Sequence, residues 1–364
     1  MVRRNFQKTN TIFFFCFLLI AGLYFGAPLL IPITFAIFLS TLMIPVSKFF
    51  EAKVGVGRIT SSFISTLILF LGVGLVLFFL FRQLGVFLTD LIERNEEIAE
   101  YVGVLQERLM SATGFTLEQQ KELYQNEMTS IISWLQGFIS GVLASVTEVL
   151  VKFLLVLIYV FLFLINRDKF KEFLMMYIPG DKKQETEEIL SETKKVAHKY
   201  LWGRIQVMIL LAILYTIVFT AYGVEHTPLL ILFGTVITIV PYIGPLISGM
   251  LPILFMIVFG GSYGEIVSFI ILVTIIQLME SYLFEPIIIG SEVQQSPLFI
   301  IIAVLLGGAL WGAAGLILFV PIFGIIKIFA DHNKELRPIG FLMGYKRPGA
   351  GETMIEKLQN KIKK

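Results

Sequence analysis

Long stretches of apolar residues, each separated from the next by a polar segment, run through most of this chain. A helix that crosses the roughly 30 Å hydrocarbon layer of a membrane needs about 20 mainly apolar residues. The stretches at about 59–81, 145–165 and 204–225 each match that length. The pattern predicts membrane-spanning helices, because a helix satisfies its own backbone hydrogen bonds where there is no water.

The first apolar stretch is nearly twice as long as one crossing. No charged residue lies at positions 9–47, and Pro28 and Pro32 fall in the middle of that stretch. Proline removes a helical hydrogen bond and interrupts a helix. We therefore predict two helices here, at about 11–27 and 29–47.

A second long stretch is uncharged between Glu225 and Glu265 and is broken by prolines and a glycine within 241–252. One long broken span and a re-entrant hairpin both fit this sixth element. Two further spans are predicted at about 265–289 and 298–328. The fold class is thus all-α, a polytopic membrane protein with about eight transmembrane helices.

Composition agrees with several membrane spans. The 364 residues are 56% hydrophobic and 15% charged, whereas a typical soluble domain has roughly 25% charged residues. The predicted parts are a three-span N-terminal membrane part at 1–82, an extracytoplasmic helical segment at 83–143, a five-span C-terminal membrane part at 144–330 whose transport core is 226–326, and a cytoplasmic tail at 331–364.

The distribution of charge predicts which connections face the cytoplasm. Lys and Arg are frequent at 48–58, at 166–204 and after residue 330, and such residues mark cytoplasmic segments. The segment 83–143 holds more acidic than basic residues, which agrees with an outer location. Eight spans would then place both termini in the cytoplasm.

Enzyme motifs were not found in the sequence. It has no Gly-x-x-x-x-Gly-Lys-Ser/Thr loop and no His-Glu-x-x-His motif. The histidines His198, His226 and His332 lie at or beyond the predicted span ends, which leaves none to activate a serine within the bilayer. Cys16 is the only cysteine, so no disulfide forms within the chain. We expect no catalytic residue, no metal site, no cofactor and no nucleic acid partner.

Three polar side chains in the seventh predicted span are candidates for function: Gln277, Glu280 and Glu285. A carboxylate inside a span costs about 3 kcal/mol on insertion scales, so it usually faces a bundle interior or a water-filled pathway. Gln277 and Glu280 are three residues apart and share a helix face, where the amide could hydrogen-bond the carboxyl. Glu280 is expected to carry a coupled proton or to make structural hydrogen bonds. Glu285 is expected nearer the outer end, within reach of water.

A regular helix cannot continue through Pro241-Tyr242-Ile243-Gly244-Pro245. Both prolines lack a donor, and Gly244 permits unusual dihedral angles. The freed carbonyls could bind a cation or a polar solute near the membrane midplane, as broken helices do in secondary transporters. The alternative is a kink that only shapes packing. A second break follows at Glu285-Pro286 through Gly290.

The last predicted span contains four glycines: Gly307, Gly308, Gly312 and Gly315. Small residues allow helices to approach closely. Plain helix packing and a gating role both explain them.

These motifs resemble those of the autoinducer-2 exporter family. The resemblance rests on the segment at 241–245, on Gln277 and Glu280 ahead of Pro286-x-x-x-Gly290, and on the glycines that follow Pro297. It covers nearly the whole chain. It implies an eight-span protein of the cell inner membrane that assembles as a homo-oligomer in the lipid bilayer and moves solute by a secondary mechanism.

The resemblance leaves more than one activity open, because substrate does not transfer with fold. The first is export of a small polar organic solute similar to autoinducer-2, with coupling to protons. The second is exchange of a monovalent cation, Na⁺ or Li⁺, for protons. A third, from another class, is a non-transporting membrane scaffold. The chain also departs from the family pattern, because Ser296 precedes Pro297 where a histidine is common.

Overall fold

The computed structural model describes residues 14–15, 17–93, 133, 136–137, 139–258, 262–289 and 295–344. These residues form helices and contain no β-strand, although an isolated bridge pairs Gln295 with Gly344. The all-α prediction is confirmed for this part of the chain. The predicted outer segment at 83–143 lies mostly outside the described residues, and its first part, 83–93, continues a membrane helix.

Helices are numbered in chain order. They are α1 (17–25), α2 (Ala27–Phe49), α3 (Arg58–Glu93), α4 (Val146–Ile165), α5 (Arg167–Met176), α6 (Lys183–Ala221), α7 (Thr227–Ile237), α8 (Ile243–Val258), α9 (Tyr263–Met279), α10 (Pro297–His332) and α11 (Arg337–Met343). A π-helix, Phe50–Val54, follows α2, and a longer one, Glu280–Ile289, follows α9. Such helices are rare and often occur at functional sites.

Six helices in the described part of the chain are long and apolar enough to cross a membrane. They include α2, α3, α4, α6, α9 with its π-helix, and α10. The predicted count of eight is not confirmed. The two N-terminal spans, the sixth span and the eighth span differ from the prediction, as described below. Each crossing changes the side of the membrane, so the prediction that both termini are cytoplasmic depends on the final count and stays a prediction.

The two predicted N-terminal spans form one kinked helix over the described residues. Gly26 N–H bonds to the Gly22 carbonyl and Leu30 N–H bonds to the Gly26 carbonyl, so helical bonding continues from α1 into α2. The prolines therefore do not end the helix, and the chain departs from regular helix only at Gly26. The indole Nε1 of Trp311 donates to the Leu23 carbonyl close to Gly26, over 2.9 Å.

The chain forms two compact units, each built from separated stretches. The first comprises residues 1–69, 152–205 and 284–364, and the second comprises 70–151 and 206–283. Tyr200, Trp311 and Phe319 belong to the buried core of the first unit. In the second unit the ring of Phe219 stacks on Tyr215 and contacts Phe269. The predicted division of the chain by membrane position stays a prediction.

The predicted sixth span is a helical hairpin, here called the first hairpin, made of α7, the turn at 238–242 and α8. A Cβ placed on Gly244 would lie 2.2 Å from the Ile237 carbonyl oxygen, and one placed on Gly234 would lie 3.7 Å from Ser248 Cβ. Both pairs are centred near residue 241, so the helices run antiparallel. Helices of 11 and 16 residues reach only about 16 and 24 Å, less than the hydrocarbon thickness. The hairpin alternative is therefore the one observed.

The predicted eighth span also folds back on itself, and α10 is here called the second hairpin. Gly312 has φ 57° and ψ −138°, which are not helical angles. A Cβ on Gly307 would lie 2.3 Å from the Gly315 carbonyl oxygen, although residues eight apart in a continuous helix are about 12 Å apart. Gln295 Nε2 also donates to the Val320 carbonyl, over 3.0 Å. The single span predicted at 298–328 is wrong, because a hairpin returns the chain to the side it came from.

Candidate functional site

A chain of hydrogen bonds joins the first hairpin to α6 and α9 within the second unit. The amide nitrogen of Gln277 donates to Tyr215 Oη over 2.7 Å and to Ser248 Oγ over 3.1 Å. Tyr215 Oη donates to Ser248 Oγ over 3.3 Å, and Ser248 Oγ donates to the Pro245 carbonyl over 3.2 Å. We call these four residues the Gln277 network. Three separate helices thus bring their polar atoms to one place.

Glycines allow the larger side chains of this network to approach the first hairpin. A Cβ on Gly249 would lie 3.2 Å from Gln277 Cγ, and a Cβ on Gly234 would lie 3.6 Å from the Tyr215 ring. Ser248 follows Pro245 by three residues in α8, so its hydroxyl can bond back to the Pro245 carbonyl within the same helix. Small residues therefore allow a polar network to form between three largely apolar helices.

Gln277 does not use its amide nitrogen as predicted. An amide nitrogen has two hydrogens, and both are taken by Tyr215 and Ser248. The nitrogen therefore has no hydrogen left for the predicted bond to Glu280. The buried Gln277 Oε1 accepts no hydrogen bond from the described residues. This oxygen is therefore available to accept a hydrogen bond from a bound solute.

Glu280 is fully buried, with 0% of its surface exposed. It begins the π-helix Glu280–Ile289 and follows Gln277 by three residues on the same face. The interior position expected of a carboxyl inside a span is therefore observed. Complete burial of an acid is costly and is typical of functional carboxyls in membrane proteins.

Glu285 lies beside the segment predicted to be cytoplasmic, so that prediction and the prediction of an outer location for Glu285 do not fit together. Arg204 Nη1 donates to Glu285 Oε1 over 2.6 Å within the first unit. Arg204 ends the basic segment predicted to be cytoplasmic, and Gly203 packs against Ile289. Glu285 is therefore at the same end as that segment, although its side chain still has 34% exposure.

The remaining predicted residues have structural positions that fit turns and close contacts. Pro241 is buried and Tyr242 has a left-handed φ of 63° in the turn of the first hairpin. Pro286 lies inside the long π-helix. Gly290 lies outside the described residues. A Cβ on Gly308 would lie 2.9 Å from Leu316 Cδ2, so all four glycines of α10 belong to the second hairpin.

Sequence reasoning missed Tyr215, Ser248 and Arg204. Tyr215 and Ser248 are single hydroxyl residues in apolar helices, and both are completely buried. Their polarity was a weak signal, because nothing in the sequence shows that they meet. Arg204 looked like one more cytoplasmic cation, yet its side chain is only 4% exposed.

The chemistry available at the Gln277 network is hydrogen bonding and coordination by neutral oxygens. The described ranges contain no group of three or more His, Cys, Asp or Glu residues that could hold a metal ion. Hydroxyl, carbonyl and amide groups suit a polar solute or a monovalent cation, and the buried Glu280 on the same helix face adds an acid.

Comparison with known proteins decides the family. The family model described as AI-2E family transporter matches residues 13–335, which is most of the chain. The chain belongs to the AI-2E transporter family. This confirms the resemblance to the autoinducer-2 exporters and, with the six apolar helices, identifies a polytopic membrane protein.

Relatives of this AI-2E family member include proteins of Bacillus subtilis and Escherichia coli. It is 27% identical over 310 residues to YrrI of Bacillus subtilis strain 168, with 84% of this chain and 87% of YrrI covered. It is 21% identical over 331 residues to YhhT of Escherichia coli strain K12, with 91% and 92% covered. Both are named as candidate transport proteins.

Proposed function

We propose that this AI-2E family protein is a secondary transporter that exports a small polar organic solute across the cell inner membrane. The main support is the Gln277 network, which joins α8 of the first hairpin to α6 and α9, and whose Gln277 lies three residues before the fully buried Glu280. Burying polar side chains and an acid among apolar helices costs free energy. In membrane proteins such groups usually mark a solute or ion pathway. Broken helices near such groups form solute sites in other secondary transporters.

In this proposal the solute binds by exchanging hydrogen bonds with the network. Tyr215, Ser248 and Gln277 each both donate and accept, so a solute hydroxyl can replace any one of them without leaving a buried polar atom unpaired. Glu280 takes up and releases a proton as its surroundings open to water on either side. That step would couple solute movement to the proton gradient.

A monovalent cation/proton antiporter is the second candidate. It is supported by the closely spaced neutral oxygens of Tyr215, Ser248 and Pro245. Carbonyl oxygens at broken helices coordinate Na⁺ in secondary transporters. In that case Glu280 would exchange a proton for the cation.

Proteoliposomes with a pH gradient and a pH-sensitive dye separate these candidates. Addition of Na⁺ or Li⁺ should leave the gradient intact in a solute exporter and dissipate it in an antiporter. The matched variants are Glu280→Gln and Glu265→Gln. Glu265 is an exposed acid on the same helix, in a capping box with Ser262, and Gln is also accepted at that position.

Counterflow of labelled neutral polar metabolites then tests export directly. We expect Glu280→Gln to lose the pH dependence of transport and at least about tenfold in rate, which is about 1.4 kcal/mol, while Glu265→Gln keeps both. A Glu280→Gln protein with unchanged rate and pH dependence would contradict the proposed proton step.

The proposal also includes a membrane topology and an oligomeric state. We place the C-terminal tail in the cytoplasm and expect a homo-oligomer. Reporter fusions at each terminus measure the side of the membrane, and light scattering of the purified protein measures the mass of the assembly. Two spans were predicted where α1 and α2 form one helix. The N-terminal fusion therefore tests whether the N-terminus lies in the cytoplasm as predicted. A monomeric mass would contradict the assembly.

A further inference from the structure

A second polar site lies in the first unit and shares no residue with the Gln277 network. It is formed by Tyr200 and Arg204 on α6 and by Glu285 on the π-helix. The side chain of Arg204 is 4% exposed and Tyr200 is 3% exposed, whereas Glu285 is 34% exposed. The buried guanidinium of Arg204 therefore pairs, among the described residues, with one carboxylate, and that carboxylate is partly exposed to solvent.

The guanidinium of Arg204 is only partly used by Glu285. Arg presents five N–H donors in a planar fork that matches a carboxylate or a phosphate with two parallel bonds. The described contact to Glu285 is a single one, from Nη1 to Oε1 over 2.6 Å. Arg204 Nε is buried and has no hydrogen-bond partner among the residues that the structure describes.

Tyr200 supplies a second unused polar atom. It precedes Arg204 by four residues on α6 and therefore lies on the same helix face. Its buried hydroxyl lies beside the Arg204 guanidinium and interacts with it, but makes no well-aligned hydrogen bond within the described ranges. Buried polar atoms are nearly always paired, and an exception needs an explanation such as a bound group. Both atoms can donate, so the missing partner is an acceptor.

We propose that Tyr200, Arg204 and Glu285 form a binding site for a small oxyanion, a carboxylate or a phosphate group, and that the Glu285 carboxylate occupies this site in the structure. The anion would displace Glu285, bind Arg204 through its fork and accept from Tyr200. The partly exposed Glu285 can move into water, where an ionised carboxylate is well solvated. The anion source is a dissolved solute or a lipid headgroup, because both present the same oxygens.

Competition between Glu285 and the anion gives the test. The full-length protein is purified in a neutral detergent, and its thermal unfolding is followed with increasing acetate, phosphate or chloride at constant ionic strength. Removing the competing carboxylate in Glu285→Gln should raise the apparent affinity for acetate or phosphate by about tenfold or more. Arg204→Gln should abolish the effect, and Tyr200→Phe should weaken it about threefold.

Glu51→Gln is the matched control. Glu51 also pairs with an arginine in the first unit, since Arg167 Nη2 contacts Glu51 Oε2 over 2.5 Å. Arg167 additionally donates to Ser47, so its guanidinium keeps a partner when Glu51 is neutralised. We expect no gain of anion binding in this variant. An equal gain in Glu51→Gln would show general screening of charge and would overturn the site.

A second arm distinguishes the two sources of the anion. Phosphatidylglycerol is added to the detergent in place of dissolved anions, with phosphatidylcholine as the zwitterionic comparison. Stabilisation of Glu285→Gln by phosphatidylglycerol alone would assign the site to a lipid phosphate, and stabilisation by acetate or phosphate would assign it to a dissolved solute. No difference from wild type with any probe would overturn the proposal.

A milder substitution, Glu285→Asp, tests the same site in case Glu285→Gln does not fold. If Glu285→Gln is not recovered as folded protein, Glu285→Asp shortens the competing side chain by one methylene. A smaller gain in anion affinity, about threefold, is then expected, because the carboxylate remains but reaches Arg204 less well. Wild-type affinity in this folded variant would count against the site.

Discussion

The two helical hairpins of this AI-2E family protein share a backbone design and differ in what holds them. The first hairpin is joined to neighbouring helices by the Gln277 network, with side-chain hydrogen bonds of 2.7 to 3.3 Å. Both hairpins are closed by direct backbone approach, since a Cβ on Gly315 would lie only 1.8 Å from the Gly307 carbonyl oxygen and one on Gly244 only 2.2 Å from the Ile237 carbonyl oxygen. The difference lies in the side-chain network that the first hairpin adds. Hydrogen bonds between side chains can be exchanged, whereas a glycine contact of this kind has no room for another group.

This difference suggests separate tasks for the hairpins. Membrane helices gain little from apolar contact with one another, because lipid tails are equally apolar. Close packing through small residues therefore fixes a structure, as at Gly307 and Gly315. Polar side chains that hydrogen-bond one another, such as Tyr215 and Ser248, can instead form hydrogen bonds to a polar solute. In the proposed function, the second hairpin contributes stability and the first contacts the solute.

The largest expected effect comes from Gly315→Ala. The added methyl group would overlap the Gly307 carbonyl, so the two halves of α10 must separate, at about 3 kcal/mol or more. Folded yield in size-exclusion chromatography and thermal unfolding followed by circular dichroism measure the loss. Gly72→Ala is the control, since nothing lies within 4 Å of a Cβ there. Equal stability of the two variants would disprove the contact.

Gly312→Ala should have an intermediate effect. Nothing lies within 4 Å of a Cβ at this position, so the cost comes from the backbone, whose φ is 57°. A non-glycine residue in such a strained conformation costs about 1–3 kcal/mol. Thermal unfolding measures it, with Gly264→Ala as a helical glycine of ordinary φ. A stability gain in Gly312→Ala would mean that the chain does not turn there.

Tyr215→Phe should lower stability by only about 1 kcal/mol, because one buried hydrogen-bonding hydroxyl is removed. It should lower the transport rate more clearly, since the network loses a solute partner. Tyr222→Phe, directly after the end of α6, is the matched control, because its hydroxyl donates to Ser268 over 2.9 Å, and its transport should stay normal. Counterflow and thermal unfolding of both variants make the comparison. Equal transport in the two would remove Tyr215 from the pathway.

The smallest effect is expected at the turn of the first hairpin, in Tyr242→Gly. Relief of the left-handed conformation gains about 1–2 kcal/mol, while the flexibility of glycine in the unfolded chain costs about 0.5–1 kcal/mol. Thermal stability should change by less than about 1 kcal/mol. Tyr177→Gly, at an ordinary φ of −82°, should only destabilise. Equal losses in both would show no strain at Tyr242.

The sequence was informative about which segments enter the membrane and where a helix breaks. Apolar length predicted the spans containing α3, α4 and α9, because hydrocarbon admits few alternatives to a helix. Pro241 and Gly244 located the turn of the first hairpin. Glu280 was recognised because an acid inside an apolar helix is conspicuous.

Other features depend on contacts that no single segment reveals. Gly307 and Gly315 have the same spacing whether a helix packs on a neighbour or folds on itself, and only the φ of Gly312 separates the two cases. Pro28 suggested a break, but Trp311, far away in sequence, supplies a hydrogen bond at the bend. The pairing of Arg204 with Glu285 joins residues 81 positions apart.

Trp311 has one more consequence, for spectroscopy. Its indole is buried, donates to the Leu23 carbonyl and lies next to Gly312 in the second hairpin. The chain has three tryptophans, so replacing Trp134 and Trp202 with phenylalanine leaves Trp311 as the single fluorophore. Its emission spectrum would then report, without any attached dye, whether the bend between α1 and α2 keeps its contact with the second hairpin while solute moves.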